Sequence, residues 1–191
     1  MRSYLSTLLA LGTLSTSAAA VNIVTYTNPG CNGCGIYFKD IAPQMCALSI
    51  TVHANITVKQ AIAAGLTTVQ SGKLQVWRPE NKHFVAWDEG PDSNTDGPLQ
   101  CGTVGADCPV TEHETCISQE SHGFCWYETT DNAQKRDTPK CIGIKGPSGV
   151  VLDGTLYITD GIPSADAAKL MNLAYNNDGN VPDDLKQYKA A

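Results

Sequence analysis

The residues most able to do chemistry in this chain are its eight cysteines: Cys31, Cys34, Cys46, Cys101, Cys108, Cys116, Cys125 and Cys141. Two of them, in Cys31-Asn32-Gly33-Cys34, have the spacing of a dithiol redox motif. Such a site needs its first cysteine at a helix start behind a buried strand, where the thiol pKa falls. Here a turn precedes the motif and Gly35-Ile36-Tyr37-Phe38 favours a strand, so the expectation is structural pairing with different partners. An even number of cysteines in an exported chain implies four disulfides. Three fall before residue 50 and five after residue 100, so complete pairing requires at least one bridge between the groups. Its loop would hold at least 55 residues, which the chain-entropy model values at about 4 kcal/mol.

The acidic residues offer less. Asp92-Ser93-Asn94-Thr95-Asp96-Gly97 matches the first half of a calcium loop, with Asp92, Asn94 and Asp96 as alternate oxygen ligands and Gly97 permitting the turn. The twelfth position is Thr103 rather than a bidentate glutamate, and turn chemistry alone selects Asp, Asn and Gly. Calcium is therefore a subordinate reading, and the expected cofactor complement is none. Asp88 and Glu89 begin an acidic loop, 88–96, from which a small hydrolase acting on glycan or nucleic acid could draw paired carboxylates. Carboxylates beside a loop are more often solvated. The histidines His53, His83, His113 and His122 show no metal-ligand spacing, and no nucleophile elbow or phosphate-cradling loop is present. Nothing in the sequence identifies an enzyme.

Binding residues are sought among the aromatics. Leu74 to Trp77 and His83 to Trp87 read as a hairpin across Pro79-Glu80-Asn81-Lys82. Pairing Arg78 with His83 puts Leu74, Val76, Val85 and Trp87 on one face, and Gln75, Trp77, Phe84 and Ala86 on the other. Trp77 and Phe84 would then form an aromatic platform of the kind sugar faces and protein partners favour. The favoured expectation is that a second layer, such as the C-terminal helix, covers that face instead.

These residues need a scaffold. Residues 1–20 read as a secretory signal: Arg2, an apolar stretch from Tyr4 to Leu14, and small residues Ala18 and Ala20 before the cut. Cleavage removes one basic residue and no acid, leaving 12 basic and 19 acidic residues, a formal charge of −7. With no basic run, nucleic acid and anionic lipid are excluded as expected partners. No stretch is long and apolar enough for a transmembrane helix. Residues 21–180 are expected to form one secreted, disulfide-rich domain, a monomer, and 181–191 a polar tail. Asn55-Ile56-Thr57 is the permitted glycosylation sequon, and Lys135-Arg136 is a dibasic pair in a polar stretch.

Val21 to Tyr26 alternates as a first strand, stopped at Asn28-Pro29-Gly30. Thr57 to Gln60 fits a capping box opening a short helix. Residues 88–110 read as loop. Strands follow at Phe124 to Glu128, Lys140 to Ile144, Val150 to Leu152 and Thr155 to Thr159, the last two joined by an Asp153-Gly154 turn. Ser164 is expected to cap a helix with the stripe Ala167, Leu170, Met171, Ala174 and Tyr175, ended by Gly179. The fold class is therefore α+β and β-rich, a disulfide-stabilised antiparallel sheet or sandwich with one short and one C-terminal helix. No internal repeat is visible.

Val24-Thr25-Tyr26-Thr27-Asn28-Pro29-Gly30-Cys31-Asn32-Gly33, followed by Phe38 and Cys46, resembles the opening Greek-key unit of small secreted crystallin-like proteins of fungi. Such units run strand, aromatic, short turn, then a glycine that permits a folded hairpin. The resemblance covers residues 21–46, with Cys31 where an aromatic is usual and no second unit visible. It implies a cysteine-rich fungal β-protein and carries over no catalytic residue. The function expected is non-catalytic binding, effector-like or cell-wall-associated, toward a glycan or protein of a host surface or wall. A small hydrolase and a calcium-stabilised structural protein are the alternatives.

Overall fold

The computed structural model describes residues 21–49, 68–88, 103–129 and 142–190. The strands are β1 Val21–Tyr26, β2 Gly35–Phe38, β3 Met45–Leu48, β4 Ser71–Val76, β5 Lys82–Trp87, β6 Val104–Pro109, β7 Glu114–Ile117, β8 Gly123–Glu128, β9 Gly143–Lys145, β10 Gly149–Leu152 and β11 Thr155–Ile158. Helix α1, Ser164–Tyr175, and a 3-10 turn, Asp183–Tyr188, follow. The strands form two sheets, ordered β11-β10-β2-β1-β4-β7 and β6-β5-β8-β3-β9. All described pairings are antiparallel except β3 with β9. The fold is α+β and β-rich, with a disulfide-stabilised pair of sheets.

The two sheet orders contain one pattern twice. β2-β1-β4-β7 in one sheet matches β6-β5-β8-β3 in the other. Strands β1–β4 form one Greek-key unit and β5–β8 a second, and each gives its third strand to the opposite sheet. The expectation of no internal repeat is thus corrected at the level of strand order. The repeat is hard to see in sequence because the connections differ in length: seventeen fewer residues separate β5's unit's last two strands than β1's.

Side chains alternate across each strand, and the inward set builds one core. Val21, Ile23, Ile36, Phe38, Leu74 and Val76 meet Ala47, Phe84, Ala86, Phe124 and Trp126 in a single buried cluster. Trp126 satisfies its indole N–H by donating to the Ile41 carbonyl at 2.8 Å. Gly72 lets the layers approach closely: a Cβ there would stand 2.6 Å from the Phe124 ring. Val85, Trp87, Cys46 and Cys125 face the other side of their sheet and form a separate buried cluster.

The predicted hairpin is wrong in its pairing. β4 bonds to β1 and β7, whereas β5 bonds to β6 and β8. The connection at 77–81 carries the chain from one sheet to the other. Alternation holds along each strand, but Leu74 and Val76 meet Phe84 and Ala86 across the core instead of sharing a face with Val85 and Trp87. Each strand buries more apolar surface this way than in an isolated two-stranded ribbon.

Other differences are local. Val104–Pro109, expected as loop, is a strand; it lies at a sheet edge where Gly105, Asp107 and Pro109 cost little. The short strands β3 and β7 lie outside the expected set. The Asp153-Gly154 turn forms as expected, with φ of 47° and 71°. Ser164 is the first helical residue and makes no cap: Pro163 holds the N-cap position. The helix ends at Tyr175, and the left-handed residue beyond it is Asn177, φ 51°, rather than Gly179. Leu170 and Ala174 of the expected stripe are buried, and α1 packs across β10 and β2. The segment expected as a polar tail is docked as far as residue 190: Leu185 is buried, and the Ala190 N–H donates to the Leu156 carbonyl at 2.8 Å. Residues 1–20, the capping box at 57–60, Asn55 and Lys135-Arg136 lie outside the described residues.

Candidate aromatic surface and the groups around it

Trp77 is the first residue after β4, and its side chain is 80% exposed. Its ring centroid lies 6.5 Å from that of His113, inclined at 46°. Backbone contacts fix this juxtaposition. Val76 N–H donates to the His113 carbonyl at 2.8 Å, and His113 Nδ1 lies 3.1 Å from the Val76 carbonyl oxygen, the geometry of a ring N–H donor. The β6–β7 connection is thereby held against the end of β4, with Trp77 and His113 on one surface. Arg78, Glu80 and Glu112, all exposed, neighbour them in the chain. An indole face bordered by charges of both signs can stack on the apolar face of a sugar ring or receive a protein side chain.

Phe84 does not belong to this surface. It is fully buried and stacked on Phe124, centroids 5.4 Å apart and planes at 27°. The paired platform of Trp77 and Phe84 is therefore corrected to Trp77 with His113. The error follows from the sheet crossing at 77–81, which leaves Trp77 exposed and turns Phe84 into the core between the sheets. Spacing along the chain could not have found His113, which sits 36 positions after Trp77.

Two carboxylates, Asp88 and Asp107, are engaged in structural contacts. Asp88 accepts from Gln119 Nε2 at 2.7 and 2.9 Å and from Ser121 Oγ at 3.5 Å, tying the end of β5 to the β7–β8 connection. Asp107 holds His83 Nδ1 at 2.7 Å with one oxygen and accepts from Tyr127 Oη at 2.7 Å with the other. The His83 and Tyr127 rings stack at 5.1 Å. These three side chains come from β6, β5 and β8, strands adjacent in one sheet, and latch them together. A histidine oriented by a carboxylate is half of a general-base arrangement, but both Asp107 oxygens are committed here. The sequence reading missed this trio because it appears only once β5 lies between β6 and β8. Glu89 and the weak calcium candidates Asp92, Asn94 and Asp96 lie outside the described residues. Among the described residues, no group of three or more His, Cys, Asp or Glu side chains could hold a metal ion.

Cys31 is bonded to Cys116, a separation of 85 residues. The bridge joins the early and late cysteine groups and pins the edge strand β7 to the β1–β2 turn. Cys34 turns the other way: its thiol belongs to the inter-sheet core, and its backbone N–H donates to Asn177 Oδ1 at 2.9 Å. The two cysteines of the motif thus serve opposite faces of one sheet, which removes the redox reading. Cys34, Cys46, Cys108 and Cys125 are thiols in this structure, and Cys101 and Cys141 lie outside the described residues. Burial pushes the Cys125 thiol up to about 12 and raises that of Cys46 well above its ordinary value.

A shallow cleft of about 460 Å³ opens between the β10–β11 turn and the C-terminal segment, lined in part by Asp153, Tyr157, Asn180 and Lys186. Lys186 is paired with Asp183 at 2.6 Å. Among the described residues, no helix is long and apolar enough to cross a membrane. No family model, curated protein or solved structure matches this chain.

Proposed function

We propose that this is a secreted, non-catalytic binding protein of the small cysteine-rich, crystallin-like fungal kind. It engages a cell-wall or host-surface component through the surface centred on Trp77. The observation that carries this reading is the 80% exposure of one tryptophan held beside His113 by backbone hydrogen bonds, while Trp87 and Trp126 are buried. An exposed large aromatic on a rigid support gains contact area without paying much ordering entropy on binding. The two Greek-key units support the crystallin-like kinship. The disulfide supports export through an oxidising compartment, and the acidic balance of the chain favours neutral glycan or protein over nucleic acid. The protein acts as a monomer and carries no cofactor.

Trp77→Ala tests the reading. A truncated hot-spot aromatic costs about 2 kcal/mol or more of binding, roughly a thirtyfold loss of affinity. In pull-down with insoluble wall polysaccharide and with host tissue, the variant should lose attachment while eluting and melting as the wild type does. Undiminished attachment by a folded Trp77→Ala protein would reject Trp77 as the contact. Turnover of glycan or nucleic acid by the wild type would instead favour a hydrolase.

A further inference from the structure

The two sheets end on the strands β11, β7, β6 and β9. A bare strand edge invites pairing with another chain, and folds usually close it. The outer side of β11 is covered by the C-terminal segment: Tyr157 bridges Lys189, and the Ala190 N–H donates to the Leu156 carbonyl at 2.8 Å. β6 has a register shift opposite Ala86 and Trp87 and ends in Pro109, and β9 is three residues long. β7 has no such device. It pairs with β4 without interruption from Gln75–Glu114 to Gly72–Ile117, and it holds no proline. Among the described residues, nothing pairs with its outer side.

One hydrogen bond sets the direction of its main-chain groups. Val76 N–H donates to the His113 carbonyl at 2.8 Å, and bonded and non-bonded pairs alternate along an antiparallel ladder. Thr115 and Ile117 therefore turn their N–H and C=O groups to β4, while Glu114 and Cys116 turn theirs outward. Both of those residues are exposed. The Glu114 carboxylate does not guard the edge, because it lies back over β4, accepting from Lys73 Nζ at 3.3 Å and Gln75 Nε2 at 3.0 Å. The Cys31–Cys116 bridge fixes the strand in place, so the edge is a preformed template that loses little freedom on pairing.

We propose that the outer edge of β7 takes up an extended peptide segment of a partner protein as an added strand. The proposal rests on the reading of the Trp77 surface as the binding face, since His113 immediately precedes β7, and it names that face's partner as polypeptide. Outward N–H and C=O groups repeating every second residue are the complement of an extended main chain. The neighbouring side chains set the sequence such a segment needs. On the core side it would lie beside Thr115 and the buried Ile117, which favours apolar residues. On the outer side it would lie beside Glu114, with Glu112 and Glu120 exposed at either end of the strand, which favours Lys or Arg. The fitting segment therefore alternates apolar and basic residues.

The test is selection of a random peptide display library on the full chain, followed by titration with a synthetic copy of an enriched peptide. Enriched sequences should alternate apolar and basic residues. In amide exchange, Glu114 and Cys116 should exchange fast in the free protein and slowly at saturation, while Thr115 and Ile117 stay protected throughout. Glu114→Pro removes one outward donor at an edge position that tolerates proline, and should weaken the peptide about tenfold; Glu114→Gln should weaken it far less. N-methylation of the peptide amides that face β7 should give the same loss on the unaltered protein, whatever Glu114→Pro does to folding. No enriched peptide, Glu114 and Cys116 amides already protected in the free protein, or binding indifferent to N-methylation overturns the proposal. A dimer in sedimentation that Glu114→Pro dissolves also overturns it, because the edge would then be taken by a second copy. Loss of polysaccharide attachment in Trp77→Ala with no peptide selected leaves the binding reading standing and this proposal overturned. Peptide pairing on β7 that survives Trp77→Ala upholds the edge and rejects Trp77 as the contact.

Discussion

Replacing both Cys31 and Cys116 by serine should lower stability by about 4–5 kcal/mol, the chain-entropy value for a bridge spanning roughly 85 residues. Domains of this size are commonly stable by about 5–15 kcal/mol in total, so the loss removes a large part of the margin. The double substitution creates no new unpaired thiol at the broken bridge. Its structural consequence is specific. Among the described strands β7 is an edge strand hydrogen-bonded to β4 alone, and its residues Glu114 and Cys116 are exposed, so little apolar burial beyond Ile117 holds it once the bridge is gone. The denaturant midpoint should fall, and amide exchange should accelerate first in β7 and the β1–β2 turn. An unchanged midpoint would show that the second sheet and α1 hold the first Greek-key unit without the bridge.

Phe84→Ala should cost about 3–5 kcal/mol, the usual range for truncating a buried phenylalanine. The ring is fully buried, stacks on Phe124 at 5.4 Å, and stands in the layer between the sheets. Phe124 in turn rests over Gly72 of the facing sheet, so the cavity would lie where the two layers touch and neighbouring backbone cannot collapse into it. Trp77→Ala, in contrast, should stay within about 0.5 kcal/mol of the wild type, as exposed substitutions do. Chemical denaturation of the two variants side by side measures the separation. If Trp77→Ala proved the more damaging, the crossing of the chain between sheets at 77–81 would be wrong.

Those two aromatics show what sequence could and could not disclose. Alternation marks β1, β4 and β5 because each must turn one face to the core between the sheets, and a period of two survives whatever the strand pairs with. Asp153-Gly154 marks its hairpin because that turn demands positive φ at both residues. The pairing of β4 and β5 is not legible in the sequence because a five-residue connection, Trp77 to Asn81, serves a hairpin and a sheet crossing equally well. Short edge strands such as β7 carry exposed polar residues, so Glu114 and Thr115 look like loop. The His83–Asp107–Tyr127 latch and the Trp77–His113 surface depend on three-dimensional neighbours contributed by different strands, and no local pattern encodes them. The cysteine count, read with its grouping, points to a long bridge between the early and late groups because complete pairing would require one, and Cys31–Cys116 is such a bridge. Cys34, Cys46, Cys108 and Cys125 are thiols here rather than members of further bridges.

The exposed position of Trp77 permits a direct measurement of the central claim. Trp87 and Trp126 are buried, so a charged quencher such as iodide should act on Trp77 alone and leave a protected fraction of the fluorescence. Titration with solubilised wall polysaccharide, or with extracted host-surface glycoprotein, should remove that quenching as the ligand covers the indole, at the concentrations where attachment saturates. Saturable attachment that leaves iodide quenching of Trp77 unchanged would contradict the account, because the partner would then be held by some other surface.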